Sequence, residues 1–215
     1  MQTRPVVFAD VHREILHGSP LLWRGGRFLD GPLNWMANRL ISGPDRSDWS
    51  HVGRVQVDTH GRLWSLEFLQ FRGPVRKDLA EYVQFYPGRI DVFAPDVHRF
   101  RGYRPALAVA EMQDLMVDFR GRYGWRNILR AGVSRVPGLR LLAGWSTDDQ
   151  ANGHRPPHCS DAASRCDFLA GVDPVPNTPS WATTPADFGR SLLYQYQFTL
   201  YWSADQISNT GEMAA

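Results

Sequence analysis

Cys159 lies in the run RPPHCSDAASR, residues 155–165, where two prolines and a histidine lead into small residues of helical character. A cysteine in the first turn of a helix has two readings. Free cysteine is among the most often buried residue types, so packing is one. The other is nucleophilic chemistry, because a helix N-terminus stabilises a thiolate. That chemistry needs an imidazole to shuttle the proton and a group that orients the imidazole. His51 and Glu67 are the candidates for these roles. The oxyanion formed on attack also needs donors, and the backbone N–H groups of Cys159 and Ser160 at the helix start could supply them. His158 ranks second as the base, since sequence neighbours at a helix start point in different directions. His51 could instead be a core histidine bonded to backbone, and Glu67 could pair with an arginine. Cys166, at mid-helix, reads as core.

The elements that must position this set follow from local pattern. DWSHVGRVQVDTHGRLWSLEFLQFRG, residues 48–73, is the clearest hairpin. Val55 and Val57 alternate with Arg54, Gln56 and Asp58, the pattern of a half-buried strand. His51 and Gly53 share parity with the valines and should face inward. THG suits a three-residue loop with Gly61 left-handed. If Asp58 pairs with Arg62, Gly53 lies opposite Glu67 and His51 is diagonal to it. A one-residue slip would turn Glu67 away, and the more apolar even positions Trp64, Leu66 and Phe68 leave that slip open.

Elsewhere, residues 6–17 look loosely helical, with Gly18 as a stop. SPLLWRGG and GRIDVFAP read as strands, PLNWMANRLISG as a helix, and Pro105 opens a helix to about Arg120. Residues 126–135 continue as a short helix. Residues 136–158 read as a long surface loop. The helix from Cys159 ends at Gly171, residues 172–185 look irregular, and LLYQYQFTLYW is a last strand. The whole is an α+β arrangement, expected as one domain over 1–203 with a loose tail over 204–215.

Composition narrows the partners. With 24 basic and 22 acidic residues the net charge is +2, and neither a basic block nor a basic amphipathic helix stands out. Nucleic-acid binding gains no support from that balance. Two cysteines are too few for a disulfide framework. Seven residues apart on one helix they are separated by ~10.5 Å, beyond the about 7 Å reach of a bridge. There is no C-x-x-C, and Pro156 and Pro157 interrupt the helix that would bring His154 and His158 together, so no metal and no cofactor are expected. No signal-peptide pattern or membrane-length apolar run is present, which points to a cytoplasmic product as synthesised, with export by another route left open.

SPLLWRGG, WSHVGRV, LWSLEF, YGWRNIL, HCSDAASR and TPADFGRS occur in an order that resembles the circularly permuted, papain-like NlpC-type superfamily, and within it the YiiX-like group. Lecithin retinol acyltransferase is a more distant cousin. The resemblance covers about residues 18–195. It implies a permuted papain-like fold: a central antiparallel sheet, small and barrel-like, with helices packed around it. It implies His51 as the catalytic histidine, Glu67 as the polar third residue and Cys159 as the nucleophile; histidine before cysteine is the mark of the permutation. His158, Asp161, Phe68 and Gly124 stand where the group usually has an aromatic, a glutamate, a small residue and an aspartate.

Three functions are therefore in view. The first is a cysteine amidohydrolase or peptidase acting through an acyl-enzyme, with cell-wall (peptidoglycan) peptides the default substrate of the wider superfamily. The second is lipid or thioester acyl hydrolysis or transfer by the same triad. The third is a non-catalytic binding or structural module that keeps the fold.

Overall fold

The computed structural model describes residues 3–24, 49–134 and 155–209. It is an α+β structure built on one open seven-stranded sheet. The strands are β1 (Pro5–Val7), β2 (Pro20–Arg24), β3 (Trp49–Val57), β4 (Leu63–Leu69), β5 (Gly73–Asp78), β6 (Arg89–Pro95) and β7 (Tyr194–Tyr201). Their order across the sheet is β1-β7-β6-β2-β3-β4-β5. Every pairing is antiparallel except β1 with β7, which is parallel. The sheet is therefore mixed, and it does not close into the barrel the resemblance implied. β1 and β5 occupy opposite edges, with five strands between them.

The helices are α1 (Phe8–Val11), α2 (Leu79–Phe85), α3 (Pro105–Asp118), α4 (Trp125–Ser134), α5 (Cys159–Leu169), α6 (Pro185–Arg190) and α7 (Ala204–Asn209). Several differ from the sequence reading. Val6 and Val7 extend as β1 against β7 before the chain turns helical, so the helical pattern of 6–17 survives only in α1 and a 3-10 turn. β5 and α2 fill a stretch left unread, although Asp78 caps α2 by accepting the Ala80 and Glu81 N–H groups. α6 breaks the irregular reading of 172–185 at its end. It begins with Pro185 behind Thr184, which shares a capping box with Asp187. Residues 204–209 form α7 and bury Ile207, so that part of the tail is ordered. The helix read over 32–43, and the loop read over 136–158 up to residue 154, lie outside the described residues.

Both faces of the sheet are covered. On one, Leu22, Val52, Leu66, Phe68 and Phe93 pack against α3 and α5. On the other, Leu21, Trp23, Val55, Leu63 and Val92 pack with Phe8, Val11 and the Leu79 and Val83 side chains of α2. Apolar residues at even and odd positions of β4 thus both have a core to enter, which is why hydrophobic parity alone left the register open.

α5 is buried from Cys159 through Asp167, including five polar or charged side chains. Such a helix is tolerated only when those groups are paired. Asp167 accepts from Arg54 Nη2 at 2.6 Å, from the Tyr103 hydroxyl at 2.6 Å, and from the Tyr194 hydroxyl. Arg54 also donates to the Gly18 carbonyl at 2.9 Å. The half-buried strand expected from Arg54 is thus corrected: Arg54 is fully buried and joins β3 to α5.

Arg54→Met should leave Asp167 buried without its cation and cost about 3–5 kcal/mol. Urea denaturation should show a clear fall in midpoint. The double variant Arg54→Met with Asp167→Asn should lose less than the sum of the two single losses.

Candidate active site

The hairpin register brings the first two groups together. Gly53 pairs with Glu67 across β3 and β4, Asp58 N–H meets the Arg62 carbonyl at 3.0 Å, and Gly61 closes the loop at φ +77°. His51, two residues along the same face, places Nε2 2.8 Å from Glu67 Oε2. Gly53 is what permits this approach. A Cβ there would lie 2.8 Å from Glu67 Cγ and 2.9 Å from the Trp23 ring. Ser65 holds the other carboxylate oxygen, donating from Oγ to Glu67 Oε1 at 2.8 Å. Glu67 is fully buried, and Trp23 packs beside the imidazole with ring centroids 4.9 Å apart.

The thiol arrives from α5. Cys159 is the first residue of that helix, and His158 is its N-cap. His158 Nε2 donates to the Trp181 carbonyl at 3.1 Å, while Nδ1 accepts from Asp161 N–H at 3.4 Å. His158 thus anchors the helix start while also lying against the Cys159 thiol. Asp161, also buried, takes a two-pronged bond from Arg165 at 2.7 and 2.8 Å and a third from Asn127 at 2.8 Å. The Arg165 bonds lie within α5, and the Asn127 bond ties α5 to α4.

With Nε2 on Glu67, His51 lies close enough to the Cys159 thiol for each to favour the other's charged form. Burial opposes a charge on His51, but the Cys159 thiolate and then Glu67 outweigh it and push its pKa up to about 10. Burial likewise opposes ionisation of Cys159. The His51 charge and hydrogen bonds from His158 and His51 reverse that and hold the thiol well below its ordinary range. Both shifts run toward the thiolate–imidazolium form of the pair. Cys166, seven residues on in the same helix, shows the contrast: burial there dominates, and its thiol is pushed up. Both cysteines are free.

One member of the site escaped sequence reasoning. Tyr123 lies beside Cys159, and burial of the phenol together with that proximity pushes the Tyr123 hydroxyl well above its ordinary range. Gly124 brings it there. A Cβ on Gly124 would lie 2.5 Å from the Pro156 carbonyl oxygen and 2.8 Å from His158 N, so the chain entering α5 rests directly on the backbone beside Tyr123. The only sequence signal was a tyrosine followed by glycine.

Glu67→Gln keeps the hydrogen-bonding shape and removes the charge. The His51 pKa should fall from about 10 and the Cys159 pKa should rise with it. Histidine NMR titration and thiol alkylation rates at neutral pH should move together, the alkylation slowing.

No protein-family model matches this chain, and no curated protein matches its sequence.

Proposed function

We propose that the protein is a cysteine amidohydrolase or peptidase in which Cys159 is the nucleophile, His51 the general base and acid, and Glu67 the group that orients His51. The observation that carries this reading is the His51 imidazole, bonded to buried Glu67 at 2.8 Å on one side and facing a helix-start thiol on the other. The resemblance to permuted papain-like enzymes assigns the same three positions and adds peptide amides, those of the cell wall among them, as the substrate class.

The steps follow from the groups. The thiolate attacks the carbonyl carbon, and the carbonyl electron pair moves to oxygen. That oxygen faces the N–H groups of Cys159 and Ser160 at the positive end of α5. The His51 imidazolium gives its proton to the leaving nitrogen as the C–N bond breaks, leaving a thioester. His51, now neutral, takes a proton from water, the hydroxide oxygen bonds to the carbonyl carbon, and the thiolate leaves. Acylation requires thiolate and imidazolium together. Activity should therefore rise as pH climbs through the depressed Cys159 pKa and fall as it passes about 10, where His51 loses its proton.

A second reading, acyl-ester or thioester chemistry on lipid by the same triad, draws on one feature: exposed apolar side chains among arginines on α4, next to Tyr123.

The test is iodoacetamide alkylation of Cys159 against pH, with Cys166→Ala removing background and His51→Ala as control. Fast labelling near neutral pH that collapses without His51 supports the triad. Labelling that stays slow up to the ordinary thiol range, indifferent to His51, overturns it in favour of a non-catalytic module. Mass spectrometry of the trapped acyl-enzyme from matched amide and ester substrates then separates the two chemistries.

A further inference from the structure

α4 carries Trp125, Leu129 and Val133 at four-residue spacing, so the three lie along one stripe. Leu129 is 64% exposed and Val133 40%. The Phe71 ring, from the turn between β4 and β5, stands 4.9 Å from the Trp125 ring and is 68% exposed. Phe71 also has φ +64°, a left-handed backbone that a bulky residue rarely adopts. Exposure and strain together are costs that packing within the fold does not explain. The turn and the approach to α4 form one surface, since a Cβ on Gly73 would lie 2.8 Å from the Arg122 backbone.

Arginines surround this apolar ledge. Arg72 follows Phe71, Arg120 and Arg122 precede α4, and Arg126 lies within it; all four are exposed. None has a carboxylate partner among the described residues. The sequence has no Asp or Glu from Phe119 to Thr147, a span with six arginines. The basic amphipathic helix that did not stand out in the sequence is thus α4. The ledge is continuous with the candidate active site. Trp125 meets Tyr123 edge to face, ring centroids 5.5 Å apart, and Tyr123 lies beside Cys159.

We propose that this face seats the protein on an anionic lipid surface, with Phe71, Trp125, Leu129 and Val133 entering the headgroup–acyl boundary and Arg72, Arg122 and Arg126 meeting lipid phosphates. The aliphatic Leu129 and Val133 select among anionic partners. A nucleic acid offers stacking faces and phosphates but no hydrocarbon, whereas a bilayer offers both charge and hydrocarbon. No helix among the described residues is long and apolar enough to cross a membrane, so the association is peripheral. It does not depend on which bond Cys159 opens.

Co-sedimentation of the full chain with phosphatidylcholine vesicles, with and without phosphatidylglycerol, tests this. The wild type should bind the phosphatidylglycerol vesicles and weaken as salt rises. Leu129→Gln and Phe71→Ser should each reduce binding about tenfold, and Arg126→Glu about fivefold or more. Circular dichroism should show all three folded, as their exposure implies. Dextran sulfate serves as a soluble polyanion. Its binding should be insensitive to Leu129→Gln, which leaves the charge unchanged. The proposal is overturned by absence of binding to phosphatidylglycerol vesicles, by vesicle binding unchanged in Leu129→Gln and Phe71→Ser, or by dextran sulfate binding that falls with Leu129→Gln as much as vesicle binding does.

Discussion

The buried pair between Arg54 and Asp167 is the joint on which the site depends. Arg54 lies three residues after His51 on β3, and Asp167 eight residues after Cys159 on α5. Their contact at 2.6 Å, with Tyr103 and Tyr194 completing the carboxylate's bonds, fixes the angle and depth at which the cysteine helix meets the histidine strand. A charge pair taken wholly out of water is not a cheap way to hold two elements together, and an apolar contact often does as well or better. What it adds is direction. A guanidinium and a carboxylate match in one geometry, whereas two apolar surfaces slide.

A second constraint is crowding around small residues. Gly53 opens the space through which His51 and Glu67 meet, and Gly124 lets the chain before Cys159 lie on the backbone next to Tyr123. Neither glycine has a positive φ. Both serve close approach rather than turning. With α5 further tied to α4 through Asp161 and Asn127, the thiol is held from both of its flanks.

Much of this arrangement was legible in the sequence, and the rest was hidden for physical reasons. The hairpin could be read because Gly61 and the alternation around Val55 signal turn and strand locally. That reading placed Gly53 opposite Glu67 and His51 beside it, as observed. Cys159 at a helix start followed from the prolines before it and the small residues after it. The buried state of Arg54 was not legible, since an arginine alternating with valines looks solvated until its partner more than a hundred residues away is known. Tyr123 was missed for the same reason: its meaning comes from Gly124 and Pro156 packing together. The sheet is open and mixed where an antiparallel, barrel-like one was expected; it is mixed because Pro5–Val7 pair in parallel with β7.

That last pairing bears on the order in which the molecule can be made. β3 and β4, with His51 and Glu67, are neighbours in sequence and can pair as soon as they emerge from the ribosome. Pro5–Val7 must wait for Thr199–Tyr201, and Asp167 must wait for Tyr194. Contacts of such long sequence separation form late in vectorial synthesis. The strand carrying the imidazole can thus be assembled before the full seat of the thiol's helix.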